Sequence, residues 1–173
     1  KLQVMIKKIY IDMDGVLADF EKGVTEVMPM FGKNTTSLDN IDMWKYVNKN
    51  KAFWETLKPL FNCFKLIKLI ENKFPKATKH ILTAIPNDEK KFKTLILSPS
   101  KDGKTKWISK YLPQFKNKII FCLRKEKQNY SEIDSLLIDD NKTTIKEWNE
   151  KGGIGMLYSN SNYNSIKKQL IEL

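Results

Sequence analysis

YIDMDGVLADF, residues 10–20, sets Asp12, Asp14 and Asp19 close together directly after an apolar run, KKIYIDM (7–13), that reads as a buried strand. Carboxylates this close raise one another's pKa and destabilise a fold unless a cation neutralises them. Their place at the carboxyl end of a strand suggests what the cation serves. In a parallel α/β sheet, ligands bind outside that edge, near the point where the strand order reverses.

Four further runs have the same character: KHILTAI (79–85), KIIFCL (118–123), SLLIDD (135–140) and IGMLYS (154–159). Each is rich in Ile, Leu, Phe or Tyr and is bounded by Lys, Asn, Gly or Asp, as strands buried on both faces are. DGKTKWISKYL (102–112) and TTIKEWNEKG (143–152) have apolar spacings of three and four, and the latter stops at Gly152 and Gly153. They read as helices. Alternating strands and helices imply an α/β fold with a doubly wound parallel sheet. The interval between the first two strands holds FEKGVTEVMPMF, IDMWKYVNKN and LFNCFKLIKLIENKF, all with helical periodicity, and Pro59 and Pro75 punctuate its later part. The expected organisation is an α/β core from 1–20 and 77–173, with a helical cap from 21–76.

Composition fits one domain with a modest insertion. The 173 residues are 41% hydrophobic, enough to bury a core, and no polar tract reads as a disordered tail. The net charge of +11 favours phosphate-bearing or polyanionic ligands without specifying one. Its lysines are spread along the chain rather than gathered into a basic arm, which makes nucleic acid an unlikely dedicated partner. Cys63 and Cys122 sit in apolar settings without a CxxC spacing and read as buried small side chains. His80 is the lone histidine and reads as structural, since one histidine cannot build a zinc site. KLQVMIKKIY lacks the apolar stretch of a signal peptide, and no run is long enough for a membrane span, so a cytoplasmic protein is expected, with Met5 as a natural start.

The strand ends carry the chemistry. Asp12 and Asp14 follow the first, Thr83 lies in the second, Arg124, Lys125 and Lys127 follow the third, and Asp139 and Asp140 close the fourth. Few carboxylates with retained waters and a phosphate oxygen suit Mg²⁺, and nearby cations favour a phosphate in the same place. Phosphoryl chemistry is the expectation. Lys104 and Lys106 fall in a helix-like segment, whereas Lys127 lies just past a strand and 12 residues before Asp139, which favours Lys127 at the centre, Lys125 after it, and Arg124 as a phosphate or substrate contact. Alternation on a strand would send Asp139 and Asp140 to opposite sides, one to the ion and the other to a supporting role, with Asp140 preferred for the ion. Asp19 reads as a helix cap.

DMDGVLADF resembles motif I of the haloacid dehalogenase superfamily, and in its extended form the 5'(3')-deoxyribonucleotidase branch. ILTAIP resembles motif II, LRKEK motif III and LLIDD motif IV, in the same order. The resemblance implies Asp12 as the nucleophile that forms an aspartyl-phosphate, and Asp14 as general acid and then base, with its backbone carbonyl on Mg²⁺. It implies Thr83 and a lysine on the phosphate. It also implies an aromatic at Phe20 against a nucleobase, assisted by cap aromatics for which Trp44, Phe53 and Trp54 are candidates; the competing role for these three is core packing. Ala84 departs from the branch, whose members carry Ser there, so one hydroxyl contact to the phosphate is missing. The expected function is Mg²⁺-dependent hydrolysis of nucleoside monophosphates. The alternatives are a 3'-phosphatase on nucleic-acid ends, a phosphatase for another small ester, or a binding protein without turnover. The expected partner is a small nucleotide, no membrane is involved, and the oligomeric state is open, a dimer included.

Overall fold

The computed structural model describes residues 5–27, 40–86 and 99–173. Five strands, β1 (Lys8–Ile11), β2 (Thr78–Ala84), β3 (Ile119–Cys122), β4 (Ser135–Asp139) and β5 (Ile154–Leu157), form one parallel sheet in the order β3-β2-β1-β4-β5. Four of these are the apolar runs shortened at their ends, and β2 is its run shifted one residue toward the N-terminus. β1 lies between β2 and β4, with Tyr10 opposite both His80 and Leu137, so the winding reverses across β1. The reversal puts the crevice where Asp12 leaves the sheet.

Alternation along the strands builds two cores. Ile9, Ile11, Ile81, Leu136, Ile138 and Met156 join one large cluster with residues of α4 (Cys63–Lys73), α5 (Pro99–Tyr111) and α7 (Tyr163–Glu172). Tyr10, Leu82 and Leu137 point the other way, onto Ile145 and Trp148 of α6 (Lys142–Glu150). All five residues of β4 are buried, as a central parallel strand requires. α6 starts at Asn141, whose side chain accepts from the Thr144 N–H, and ends before Gly152, whose φ of +97° suits glycine.

Between β1 and β2 the described residues form α1 (Phe20–Val27), α2 (Asn40–Lys49), α3 (Phe53–Thr56) and then α4. Asp19 Oδ1 accepts from the Lys22 N–H at 3.1 Å, so Asp19 caps α1 as its sequence position suggests. The end of the first helical segment, residues 28–31, lies outside the described residues. α4 packs beside α7, and α3 lies against α5. The chain leaving β1 is pinned to the chain entering α4: Asp19 N–H donates to the Lys58 carbonyl at 2.8 Å, and Leu60 N–H to the Leu17 carbonyl at 2.8 Å. These bonds hold α1 and α3 close to the strand ends. Among the described residues, no helix is long and apolar enough to cross a membrane.

Candidate active site

A cavity of about 710 Å³ opens over the carboxyl edge of the sheet. Asp12, Asp14, Arg124, Lys127, Asp139 and Asp140 line its floor and sides, and Phe20, Trp44 and Trp54 its wall on the α1–α3 side. Asp12 is 6% exposed; its Oδ1 accepts the Met13 N–H at 2.8 Å and lies 2.9 Å from Lys127 Nζ. Lys127 comes from a 3-10 segment, Arg124–Tyr130, just past β3, and is also buried. Its ammonium lies 2.6 Å from Asp139 Oδ2 as well. An ammonium has three donors, so one remains for a ligand. Burial works against its charge, but Asp12 and Asp139 outweigh burial and raise its pKa.

Oxygens of Asp12, Asp139 and Asp140 all lie within 4.8 Å of one another. Burial, and then the neighbouring Asp12, pushes Asp139 up to about 6. Burial and the charges of Asp12 and Asp139 push Asp140 up to about 7. Asp12 is also raised, by burial first. Lys127 alone leaves this cluster short of positive charge, and its hard oxygen donors match a small divalent cation.

β4 stops at Asp139, so Asp140 lies beyond the strand and the alternation expected of a strand does not set its direction. An oxygen of each reaches the cluster with Asp12. They still differ: Asp139 is fully buried, with Oδ2 on Lys127 and Oδ1 on the Asn141 N–H at 2.8 Å, whereas Asp140 is exposed toward the cavity side.

The other residues singled out from sequence are distributed as follows. Asp14 lines the cavity, but its carboxylate is not in the three-oxygen cluster; Oδ2 lies 2.6 Å from Lys104 Nζ. Thr83 is fully buried and its hydroxyl accepts from Lys104 at 2.8 Å. Arg124 reaches the cavity while held on Glu147 by two bonds of 2.8 and 3.1 Å. Lys125 is exposed and does not line the cavity. Phe20 is stacked on Trp54 at 5.6 Å and 27°, and Trp44 lies 6.2 Å from Phe20. Phe53 is 1% exposed and meets Phe20 edge-on from behind, so it supports the wall without lining it. His80 stacks on Tyr10 away from the cavity.

Lys104 is the residue the sequence reading set aside. It projects from α5, not from a strand end, yet it meets Asp14, Thr83 and the Ala84 carbonyl. A signal for it exists in the sequence: Ser100, Gly103, Lys104, Trp107 and Ile108 follow the spacing of a buried helical face, and all five are buried. A lysine on such a face needs a buried anion to satisfy it.

No protein-family model matches the sequence, and no curated protein matches it. Solved structures do share its fold. A haloacid dehalogenase-like family hydrolase from Xanthomonas campestris superposes with a TM-score of 0.57 at 10% identity, over 99% of this chain and 94% of that one. A HAD-superfamily hydrolase from Ehrlichia chaffeensis gives 0.56 at 12% identity, over 99% of this chain and 98% of the other. A HAD family enzyme from Bacteroides thetaiotaomicron, an Asp-to-Ala mutant in complex with magnesium and inorganic phosphate, gives 0.54 at 13% identity, over 93% and 98%. At these identities the likeness establishes the fold, the α/β architecture of haloacid dehalogenase-like hydrolases.

Proposed function

We propose that this chain is a Mg²⁺-dependent phosphatase that hydrolyses nucleoside monophosphates through an aspartyl-phosphate on Asp12. The observation that carries the proposal is the convergence of the Asp12, Asp139 and Asp140 oxygens beside Lys127, beneath an aromatic wall. A HAD family structure of the same fold contains magnesium and inorganic phosphate, which agrees with this reading. Asp12, Asp139 and Asp140, with the Asp14 carbonyl, would hold the ion, and Mg²⁺ would neutralise charge on the phosphate and its carboxylate neighbours.

In the reaction, a carboxylate oxygen of Asp12 forms a bond to phosphorus as the bond from phosphorus to the ester oxygen breaks. Asp14 gives its proton to the leaving ester oxygen. It then takes a proton from water, the water oxygen bonds to phosphorus, and the Asp12–phosphorus bond breaks to release inorganic phosphate. Lys127 spends its remaining donor on the phosphoryl oxygens, where negative charge accumulates. Asp139 keeps Lys127 aimed, and Arg124 guards the rim with its guanidinium fixed on Glu147.

The cavity volume lies within the roughly 300–1,000 Å³ range of small-molecule sites. Phe20 and Trp54 are too close to admit a third ring between them, so a base lies against the exposed side of this wall rather than inside it. The net charge of +11 favours a 3'-phosphorylated nucleic-acid end as a second reading, which would show steep loss of activity with salt.

The test is phosphate release from nucleoside 5'- and 3'-monophosphates, a 3'-phosphorylated oligonucleotide and p-nitrophenyl phosphate, with Mg²⁺ and with EDTA. Mg²⁺-dependent release from a mononucleotide is expected, and Asp12→Asn should abolish it while leaving the melting temperature close to that of the parent. Release from no ester, or normal turnover by Asp12→Asn, overturns the reading.

A further inference from the structure

Lys104 is fully buried, and its ammonium is enclosed on every side that the described residues supply. It lies 2.6 Å from Asp14 Oδ2, 2.8 Å from Thr83 Oγ1 and 2.6 Å from the Ala84 carbonyl oxygen. The Trp54 ring covers it at 4.3 Å from the centroid. Three acceptors use all three donors of an ammonium. Lys104 therefore has no hydrogen left for a phosphate, unlike Lys127, which has two acceptors.

The asymmetry of Asp14 completes the observation. Its Oδ2 is held by Lys104, whereas Oδ1 is buried and has no hydrogen-bond partner among the described residues. A buried carboxylate oxygen without a donor is costly, so the orientation of this group is held by its other contacts, the one to Lys104 first among them. Asp14 also lines the cavity.

We propose that Lys104 is a positioning residue: it fixes the Asp14 carboxyl group through Oδ2 and so holds that group in one orientation beside the leaving group of a bound phosphate ester. The two buried lysines then divide the work. Lys127 serves the nucleophile and the phosphoryl group, and Lys104 serves the proton carrier. Trp54, lying over Lys104, makes the aromatic wall part of the same packed unit. A near-attack geometry requires that kind of fixation, because a small misplacement of a proton donor is expensive.

The inference rests on the reading of Asp14 as proton donor, and its test separates the two. Lys104→Met is assayed on a nucleoside monophosphate, whose alkoxide leaving group needs a proton, and on p-nitrophenyl phosphate, whose phenolate leaves without one. The expected result is a kcat lower by about 100-fold or more on the nucleotide, the low end of what general acid catalysis supplies, and by less than about 10-fold on the aryl ester. KM for both esters, and inhibition by inorganic phosphate, should be little changed. On an Asp14→Asn background, Lys104→Met should add less than about threefold, because residues acting as one unit are not additive.

Equal losses on the two esters together with weaker inhibition by phosphate make Lys104 a phosphate ligand and overturn the proposal, as do fully additive losses in the double variant. Should Lys104→Met lose its near-ultraviolet circular dichroism, Lys104→Gln, which keeps a donor for Thr83 or Ala84, carries the same comparison. A parent protein inactive on every ester would instead defeat the reading of Asp14 and leave the cause distinct from any failure of Lys104.

Discussion

Gly15 shows how much of this site depends on one missing side chain. Its φ of +76° lies in the left-handed region, and a Cβ there would collide with the carboxylate of Asp140. The residue after Asp14 must therefore be small for Asp140 to sit against the loop and keep its oxygens near those of Asp12 and Asp139. Gly15→Ala is predicted to displace Asp140 and weaken Mg²⁺ binding by about 10-fold or more, the lower range for losing the arrangement of a metal site. Titration of Mg²⁺ against activity, or calorimetry, reads this directly. An unchanged Mg²⁺ affinity would show that Asp140 is not held by this contact. An Asp-Gly pair is common turn chemistry in any sequence, but that its glycine meets Asp140, 125 residues away, is a fact of tertiary structure.

At the level of elements, the packing of α3 on α5 sets the distance between the aromatic wall and the acids. Gly103 allows it: a Cβ at this position would stand 2.6 Å from Trp54 Cβ and 3.2 Å from the Glu55 backbone nitrogen. A backbone atom cannot yield by changing rotamer. Gly103→Ala gains about 1 kcal/mol of helix propensity, but overpacking costs about 1–3 kcal/mol. A net destabilisation of up to about 2 kcal/mol is predicted from these opposed effects, with altered tryptophan fluorescence as α3 shifts; urea unfolding checks the first and emission spectra the second. A more stable variant would mean that α3 gives way freely. The strands were legible in the sequence because burial on both faces leaves unmistakable apolar runs, and the first four of the five carried chemistry at their ends. Lys104 was legible only as a member of an apolar helical face, because helical lysines ordinarily reach solvent, and the partner that gives it a role, Asp14, belongs to tertiary structure. Phe20, Trp44, Phe53 and Trp54 were legible as a group, yet only packing could show that Phe53 stands behind the wall while the others face the cavity.

Across the whole molecule, the acids at the sheet edge couple the site to stability. Carboxyls ordinarily titrate near 3.8; in the folded chain Asp139 is raised to about 6 and Asp140 to about 7, by burial first and then by neighbouring carboxylates. Between about pH 4 and pH 7 the native state thus holds more protons than the unfolded chain, and linkage makes stability fall as pH rises through that window. The stabilising state is the protonated one, present in full below the unfolded values and lost by the time both groups ionise. In metal-free buffer the melting temperature should therefore drop between pH 5 and pH 7.5. Mg²⁺ reverses the sign of the neighbouring charge that each carboxylate meets, so it should restore stability at pH 7.5 and do much less at pH 5, where protons compete for the same oxygens. At a hundredfold excess over Kd the gain is about 2.7 kcal/mol, or roughly 5–10 °C for a chain of this size. Melting curves at the two pH values, with Mg²⁺ and with EDTA, measure all four corners of this square. A melting temperature indifferent to Mg²⁺ at pH 7.5 would mean that the three carboxylates tolerate one another with Lys127 alone, and the sheet edge would then need no divalent ion to hold its shape.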